Sequence, residues 1–329
     1  MAIIKIDKEA FRFNLQAIID KTKDIEKIAI VLKDNAYGHG LSLMANLSSS
    51  LGISHAVVKN IDEAKEIREF FDTILILGGD IVCDDKYSFA INSLDDIENA
   101  QPKSRVELKI DTGMGRNGIL VKDIDKALEL IDKRDLKLIG VMTHFRSSDT
   151  LSSEFFWQQN RFELIKSKIK NLGYKNIRYH SHNSSAILRN KNFDEDLVRV
   201  GLALYGYNEL EKSFDDVKLK PILSLSASKI SNRDIKKGDR LGYGGDFIAP
   251  KDMNVSTYNI GYGDGWHRAF KSTQYNEILG RVSMDFIILN RDDDEVCIFD
   301  NAKVLADRFG TISYEVFTSL SKDIERVVI

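Results

Sequence analysis

Over roughly its first 200 residues, the chain alternates between two hydrophobic patterns. Short runs of apolar, often β-branched residues predict strands, and apolar residues at helical spacing predict amphipathic helices. Strands are predicted over 27–33, 55–58, 73–77, 87–91, 106–110, 138–143, 177–181 and 197–202. Helices are predicted over 9–21, 41–51, 61–71, 94–100, 121–133 and 154–172. This alternation indicates an α/β fold, with a (β/α)8 TIM-like barrel and a doubly wound open sheet as the two candidates.

The positions of the polar residues favour the barrel. Charged or imidazole side chains lie in or just beyond the first, fifth, sixth, seventh and eighth predicted strands, at Lys33, Lys109, His144, His180 and Arg199. Most of them are near carboxyl ends of strands, which is the edge where barrel enzymes have their active sites.

The helical rhythm stops at about residue 218. Residues 221–230 alternate apolar and small polar positions, as a half-buried antiparallel strand would. Gly242, Gly244 and Gly245, and then the stretches 254–260 and 277–290, continue in the same turn-rich β style. We therefore predict a barrel over 1–216 and a mainly β domain over 217–329, joined by the acidic stretch 209–216. Whether the first few residues join the β domain is left open.

Composition and net charge limit the classes of binding partner that are expected. Hydrophobic residues make up 43% and charged residues 29%, and the net charge is −3, so neither nucleic acid nor an anionic membrane is an expected partner. The amino terminus lacks the pattern of a signal peptide, and Cys83 and Cys297 are far apart, so a reducing cytoplasm is expected.

A candidate nucleophile ends the first barrel strand. The apolar run 27–32 is followed by KDNAYGHG over 33–40, a lysine and then loop-forming residues. Near apolar walls an ammonium group loses hydration and its pKa falls, so the neutral amine of Lys33 could form a Schiff base with an aldehyde. For an isolated lysine, the alternative is a solvated strand end.

A second motif, ELKIDTGMGR over 107–116, places Arg116 on a loop with two glycines. The glycines let the backbone approach a ligand, and a guanidinium can bind a carboxylate with two parallel hydrogen bonds. Arg116 is therefore a candidate for binding an amino-acid carboxylate. A surface salt bridge is the alternative for an arginine taken alone.

A third group of residues follows the seventh and eighth strands. His180 and His182 point to the same face of a strand, but no carboxylate or cysteine cluster completes a metal site, so no metal is expected. Ser184 is placed at a helix start, where a phosphate or a plain helix cap fits. Gly201 permits close backbone approach, and Arg199 in the same strand can face a cofactor ring.

Together these motifs resemble those of the alanine racemase family, pyridoxal phosphate (PLP) enzymes of fold type III. Three later segments also match, YNIGYGDGW over 258–266, GRVSMD over 280–285 and the segment around Tyr314. The resemblance implies that Lys33 carries PLP, that Tyr262 is a second base reaching the partner subunit's lysine, and that Lys109 is often carbamylated. It also implies that Arg116 and the Met284 amide bind substrate. The implied cofactor contacts, besides Lys33, are Tyr37, His144, Asn183, Ser184, Arg199, Gly201, Leu202 and Tyr314.

The implied activity is two-base interconversion of L- and D-alanine by a cytoplasmic homodimer, supplying D-alanine for peptidoglycan. The alternatives are a broader amino-acid racemase, a PLP decarboxylase of the same architecture and a non-catalytic PLP-binding protein. Decarboxylases usually place a carboxylate against the pyridine nitrogen, whereas Arg199 is a donor-only cation. The second domain, with Tyr262 and Met284, argues against a carrier built on the barrel alone.

Overall fold

The computed structural model describes residues 2–214 and 217–329. The predicted boundary after residue 216 and the end of the predicted linker fall on residues 215 and 216, outside the described residues.

The strands are β1 (Ile3–Ile6), β2 (Ile28–Val31), β3 (His55–Val58), β4 (Thr73–Ile76), β5 (Tyr87–Ile91), β6 (Arg105–Asp111), β7 (Ile119–Leu120), β8 (Lys137–Met142), β9 (Arg178–His180), β10 (Val198–Val200), β11 (Leu223–Ile235), β12 (Arg240–Leu241), β13 (Phe247–Ile248), β14 (Met253–Tyr258), β15 (Ile287–Leu289), β16 (Glu295–Phe299) and β17 (Glu325–Val328). The helices are α1 (Lys8–Thr22), α2 (Lys33–Tyr37), α3 (Leu41–Ser50), α4 (Ile61–Ile67), α5 (Leu94–Asn99), α6 (Ile124–Lys133), α7 (Ser153–Asn171), α8 (Ser184–Arg189), α9 (Ala302–Phe309) and α10 (Ser313–Thr318).

A nearly closed parallel barrel confirms the first of the two candidate folds. Its strand order is β10-β2-β3-β4-β5-β6-β8-β9, with every neighbouring pair in that order parallel. Two backbone hydrogen bonds link the remaining edges, from Asp196 N to Tyr179 O at 3.1 Å and from Arg199 N to His182 O at 3.0 Å. An open sheet would leave those edges far apart.

Burial explains why these segments form barrel strands and covering helices. All four residues of β2 are buried, as expected for a parallel strand covered on both faces. Helix α7 buries Phe155, Phe162, Ile165 and Ile169, which are the apolar residues whose spacing predicted it.

The mainly β part of the chain has a sheet of strand order β15-β14-β11-β1-β17, with β16 also paired to β11. The amino-terminal strand β1 lies antiparallel to β11 and parallel to β17. The chain divides into two compact units. The β unit contains the segment up to Phe11, Asn35–Leu43 and Lys220–Ile329. The barrel unit contains Arg12–Asp34 and Met44–Leu219.

Two details of the β unit differ from the sequence prediction. Helices α9 and α10 were not predicted, and in 277–290 regular strand is confined to β15. Among the described residues, no helix has the length and apolar character needed to cross a membrane.

The segment after Lys33, predicted as a loop, is one left-handed helical turn. Asp34, Asn35, Ala36 and Tyr37 have φ angles of 53, 55, 52 and 51°. The Asn35 side chain accepts a hydrogen bond from Leu41 N at 2.8 Å. Because carbonyl oxygens only accept, His39 Nδ1 carries the proton that is shared between Ala36 O and Tyr37 O, at 3.0 and 2.9 Å.

The glycine after this turn provides a stability prediction. Gly38 has φ +79°, and a Cβ there would lie 2.0 Å from Phe317 O, whereas Gly310 has φ +70° and no atom within 4 Å. We expect Gly310→Ala to lower the free energy of unfolding by about 1 kcal/mol for its positive φ alone. Gly38→Ala should cost at least about 2 kcal/mol more because its methyl group also displaces backbone. Urea unfolding measures both, and equal losses would contradict the steric argument.

Candidate active site

The end of β2 fixes the backbone that leads to Lys33. The fully buried Tyr205 donates its hydroxyl hydrogen to Val31 O at 2.8 Å, and Leu32 N donates to Val57 O at 2.8 Å. Lys33 follows directly and is half-buried. Its backbone is therefore anchored at the carboxyl edge of the barrel, as the sequence predicted.

Several cations gather at this edge, and their electrostatic effects show which predicted residues the fold brings together. The pKa of His144 is lowered to about 3, first by burial and then by the charges of Arg199, Arg116, Lys109 and Lys33. Burial and neighbouring cations also lower the pKa of Lys109 to about 8. Such a concentration of positive charge favours an anionic ligand.

The loop that carries Arg116 folds around a carboxylate. Asp111 accepts hydrogen bonds from Gly113 N at 2.8 Å and from Gly115 N at 3.0 Å. Arg116 itself is exposed and makes no hydrogen bond or ion pair with the described residues. Its guanidinium is therefore available to a ligand. Sequence reasoning did not identify the role of Asp111, although an aspartate that precedes glycines by two and four residues is typical of such turns.

Two asparagines, which sequence reasoning also missed, hold Lys109. Its ammonium nitrogen lies 2.5 Å from Asn117 Oδ1 and 3.2 Å from Asn92 Oδ1. Both partners are neutral, so the Lys109 charge is solvated by dipoles rather than neutralised by an anion.

The predicted phosphate contacts lie beside one another. Ser184 Oγ accepts from Gly201 N and Ala203 N, each at 3.2 Å, which leaves its hydroxyl hydrogen to donate. Asn183 caps the same helix, with its Oδ1 accepting from Ala186 N at 2.9 Å. Leu202, the residue after Gly201, is buried in the turn that follows β10.

Arg199 is 6% exposed, and four of its five N–H groups are used within the barrel. Nη1 donates to His180 Nδ1 at 2.5 Å and to His180 O at 3.0 Å. Nη2 donates to Thr143 O at 2.7 Å and to Ser181 O at 3.3 Å. Within the described residues Nε makes no hydrogen bond. Burial lowers the pKa of Arg199 to about 10, so the group stays charged at neutral pH.

The histidines of β9 and the loop after it are bound to carboxylates rather than arranged around a metal. His180 Nε2 lies 2.5 Å from Glu107 Oε2, and His182 Nδ1 lies 2.9 Å from Glu195 Oε2. No group of three or more His, Cys, Asp or Glu side chains in 2–214 and 217–329 could hold a metal ion. Sequence reasoning missed both glutamates. Glu107 is 73 positions away from His180, and Glu195 is 13 positions away from His182, so neither pair forms a local motif.

The β unit groups the other predicted residues in two pairs. Tyr37 and Tyr314 make an edge-to-face contact with centroids 5.5 Å apart. The turn at Tyr262 is bonded to the segment of Met284, through Tyr262 N to Ser283 O at 3.0 Å and Gly263 N to Met284 O at 2.8 Å. The side chains of Tyr262 and Met284 are 41% and 54% exposed.

PLP fits the donor set of the barrel unit. The aldehyde needs an amine, the pyridine nitrogen needs a donor and the phosphate needs several N–H or O–H groups. Lys33, the unused Nε–H of Arg199 and the Ser184 hydroxyl are groups of these types.

Comparisons with known proteins agree over the whole chain. Residues 6–209 match the model of the alanine racemase N-terminal domain, and residues 222–328 match that of the C-terminal domain. An alanine racemase of a Nitratiruptor species is 46% identical over 330 residues, covering 99% of each chain. One from Campylobacter jejuni subsp. doylei is 40% identical over 339 residues, covering 100% of both.

Solved structures show the same similarity. The alanine racemase of Clostridium difficile 630 has a TM-score of 0.90 at 26% identity, covering 100% of this chain and 95% of that one. The Bacillus anthracis enzyme with bound L-Ala-P gives the same values. The chain therefore belongs to the alanine racemase family of isomerases.

Proposed function

We propose that this protein interconverts L- and D-alanine with PLP held at the carboxyl edge of the barrel. The observation that carries the proposal is the buried Arg199, whose remaining Nε–H is a donor suited to a pyridine nitrogen. A donor-only cation also argues against a decarboxylase, in which a carboxylate usually accepts a hydrogen bond from the protonated pyridine nitrogen.

When bound, PLP withdraws electrons from the amino acid and so makes its Cα proton acidic. Lys33 would hold the aldehyde carbon, Arg199 the ring nitrogen, and Ser184 with the Gly201 segment the phosphate. The remaining proposed cofactor contacts are Tyr37, His144, Asn183, Leu202 and Tyr314. His144 stays neutral because of burial and the neighbouring cations, so it can pack against a ring without repelling those cations.

Racemisation requires proton removal on one face of Cα and proton delivery on the other, and one base does not readily serve both. We assign the two faces to Lys33 and to Tyr262 of a partner subunit. The 41% exposure of Tyr262 in one chain supports this arrangement because a base must reach the substrate of the neighbouring copy. The functional unit would then be a homodimer.

Arg116 and the Met284 amide are proposed to bind the substrate carboxylate. Neither the Arg116 guanidinium nor the Met284 N–H donates a hydrogen bond to the described residues, so both donors are available. Two parallel hydrogen bonds from the guanidinium would hold the carboxylate and orient the Cα–H bond for proton transfer.

Lys109 is proposed to be carbamylated. A lysine whose pKa is about 8 is partly neutral at physiological pH, and its amine can add CO2 with loss of one proton. The resulting anion would pair with Arg116. In the cell we place the enzyme in the cytoplasm, where its product would supply D-alanine for peptidoglycan.

The reaction itself is tested with purified protein, PLP and L-alanine. We expect an equal mixture of isomers by chiral chromatography, since enantiomers have equal free energies. Lys33→Ala should abolish turnover and remove the visible absorption of lysine-bound cofactor. Lys59→Ala is the matched control, because Lys59 follows the next barrel strand and its pair with Asp34 is exposed. Failure of wild-type protein with bound PLP to form D-alanine would contradict the reaction.

A mixing experiment tests the shared site. Lys33→Ala and Tyr262→Phe proteins should each be inactive or at least about a hundredfold slower. After subunit exchange, random pairing makes half of the dimers hybrids, each with one intact site, so activity should return to about one quarter of wild type. No recovery in confirmed hybrids would place Tyr262 in its own subunit's site.

Replacing Lys109 tests the carbamate. We expect Lys109→Ala to raise KM for alanine about tenfold or more through loss of the anion that orients Arg116, with a smaller change in kcat. Acetate should partly restore KM in the variant and leave wild type unaffected. An unchanged KM would exclude this role.

A further inference from the structure

A continuous chain of charged and polar side chains runs through the interior of the barrel. Arg178 contacts Glu107, Glu107 contacts His180, and His180 contacts Arg199. Glu107 and His180 are both 0% exposed. Three of these residues had no role in the sequence prediction of the cofactor site.

The hydrogen-bonding capacity of each group fixes the protons in this chain. A guanidinium has donors only, so His180 Nδ1, 2.5 Å from Arg199 Nη1, must present its lone pair. The proton of the neutral ring is then on Nε2, where it is donated to Glu107 Oε2 at 2.5 Å. His180 is therefore held as the neutral Nε2–H tautomer.

Glu107 can accept that hydrogen bond because it is ionised. Burial alone would raise its pKa, but the charge of Arg178 and the hydrogen bonds from His180 and Arg178 outweigh burial, and the pKa lies well below its ordinary value. Ser88 also donates to the carboxylate, at 2.7 Å. Burial lowers the pKa of His180, which opposes a second proton on the ring.

We infer that Glu107 is a positioning residue that acts through His180 to orient Arg199, so that the Nε–H of Arg199 is directed to the ring nitrogen of the cofactor. The direction toward that nitrogen rests on the proposed function, whereas the tautomer does not. Without an obligate acceptor at Oε2, the ring of His180 could carry its proton on Nδ1. That proton would face a guanidinium N–H, so the two donors would repel and Arg199 would turn away.

Displacement of Arg199 would change the outcome of the reaction. With water instead of a guanidinium beside it, the pyridine nitrogen is more easily protonated and withdraws electrons more strongly. The proton taken from Cα is then more often returned to the cofactor carbon. Alanine and PLP would end as pyruvate and pyridoxamine phosphate, an exchange that needs no other reactant.

The tautomer is tested first in ligand-free protein. Long-range 1H–15N NMR of the imidazoles, with the His180 signals assigned by a His180→Gln variant, should show Nε2 protonated and Nδ1 unprotonated at neutral pH. A charged His180 or an Nδ1–H tautomer in wild type would overturn the inference. This readout needs neither cofactor nor activity, so it remains decisive if racemisation fails.

The functional arm uses Glu107→Gln, whose amide can accept from Nε2–H or, when flipped, donate to Nε2. We expect a mixture of His180 tautomers and a rise of about tenfold in pyruvate formed per racemisation, since a tenfold change corresponds to about 1.4 kcal/mol. Glu195→Gln is the matched control for the tautomer, because it neutralises a buried carboxylate that contacts His182 and not His180, and it should leave the His180 signals unchanged.

Folding of the variants is checked by circular dichroism and thermal unfolding. If Glu107→Gln leaves Arg178 unpaired and fails to fold, the double variant Glu107→Gln/Arg178→Gln removes both charges and keeps the hydrogen-bonding groups. The double variant should show the same mixed tautomers and altered product ratio. A wild-type ratio in a folded variant would show that Glu107 has only a structural role.

Discussion

The barrel is organised around charge that cannot be left unpaired in its interior. The interior of such a barrel is normally filled by layers of branched apolar side chains. Here Glu107 and Arg199 are buried in that space, where Glu107 pairs with Arg178 and Arg199 donates to His180 and to carbonyl oxygens. Removing one partner of a buried ion pair leaves an uncompensated charge that costs about 3–5 kcal/mol. The positions of β6, β9 and β10 are thereby tied to one another by the same side chains that form the candidate cofactor site. Stability and site geometry depend on one network.

A second constraint lies in the backbone after Lys33. A left-handed helical conformation costs about 1–2 kcal/mol for each residue with a Cβ. Four consecutive residues adopt it, so local compensation is required. Asn35 and His39 provide it with side-chain hydrogen bonds, and Gly38 O accepts from Arg326 Nε at 2.9 Å. Strain that is held in place by so many contacts is typical of functional positions.

The features that could be predicted from the sequence are those with a local pattern, namely regular strands and helices and compact motifs. All the barrel strands were predicted because each lies in a short strand-like run, mostly bounded by helical patterns, and Lys33, Arg116 and Tyr262 were singled out because each lies in a compact motif. Glu107 and Glu195 were missed because a carboxylate in or near an apolar strand has no local pattern that identifies its histidine. Helices α9 and α10 have eight and six residues, too few for a clear helical period, although Asn301 and Gly310 were available as cap signals. The left-handed turn was unpredictable beyond Asn35, since Ala36 and Tyr37 rarely adopt that conformation.

The electrostatics of the barrel edge also limit which groups can transfer protons. Histidine is the usual general acid or base near neutral pH, and three histidines, His144, His180 and His182, lie in or just after the barrel strands of this region. Both ring nitrogens of His182 are in hydrogen bonds, Nδ1 with Glu195 and Nε2 with Asn190. Burial and the surrounding cations lower the pKa of His144 to about 3, so it is neither protonated at neutral pH nor strongly basic. His180 has its Nε2 proton bound by Glu107 and its Nδ1 lone pair bound by Arg199, so neither nitrogen is available to a substrate. The proton transfers are thereby left to other groups, which agrees with the proposed assignment of the two faces of Cα to Lys33 and Tyr262.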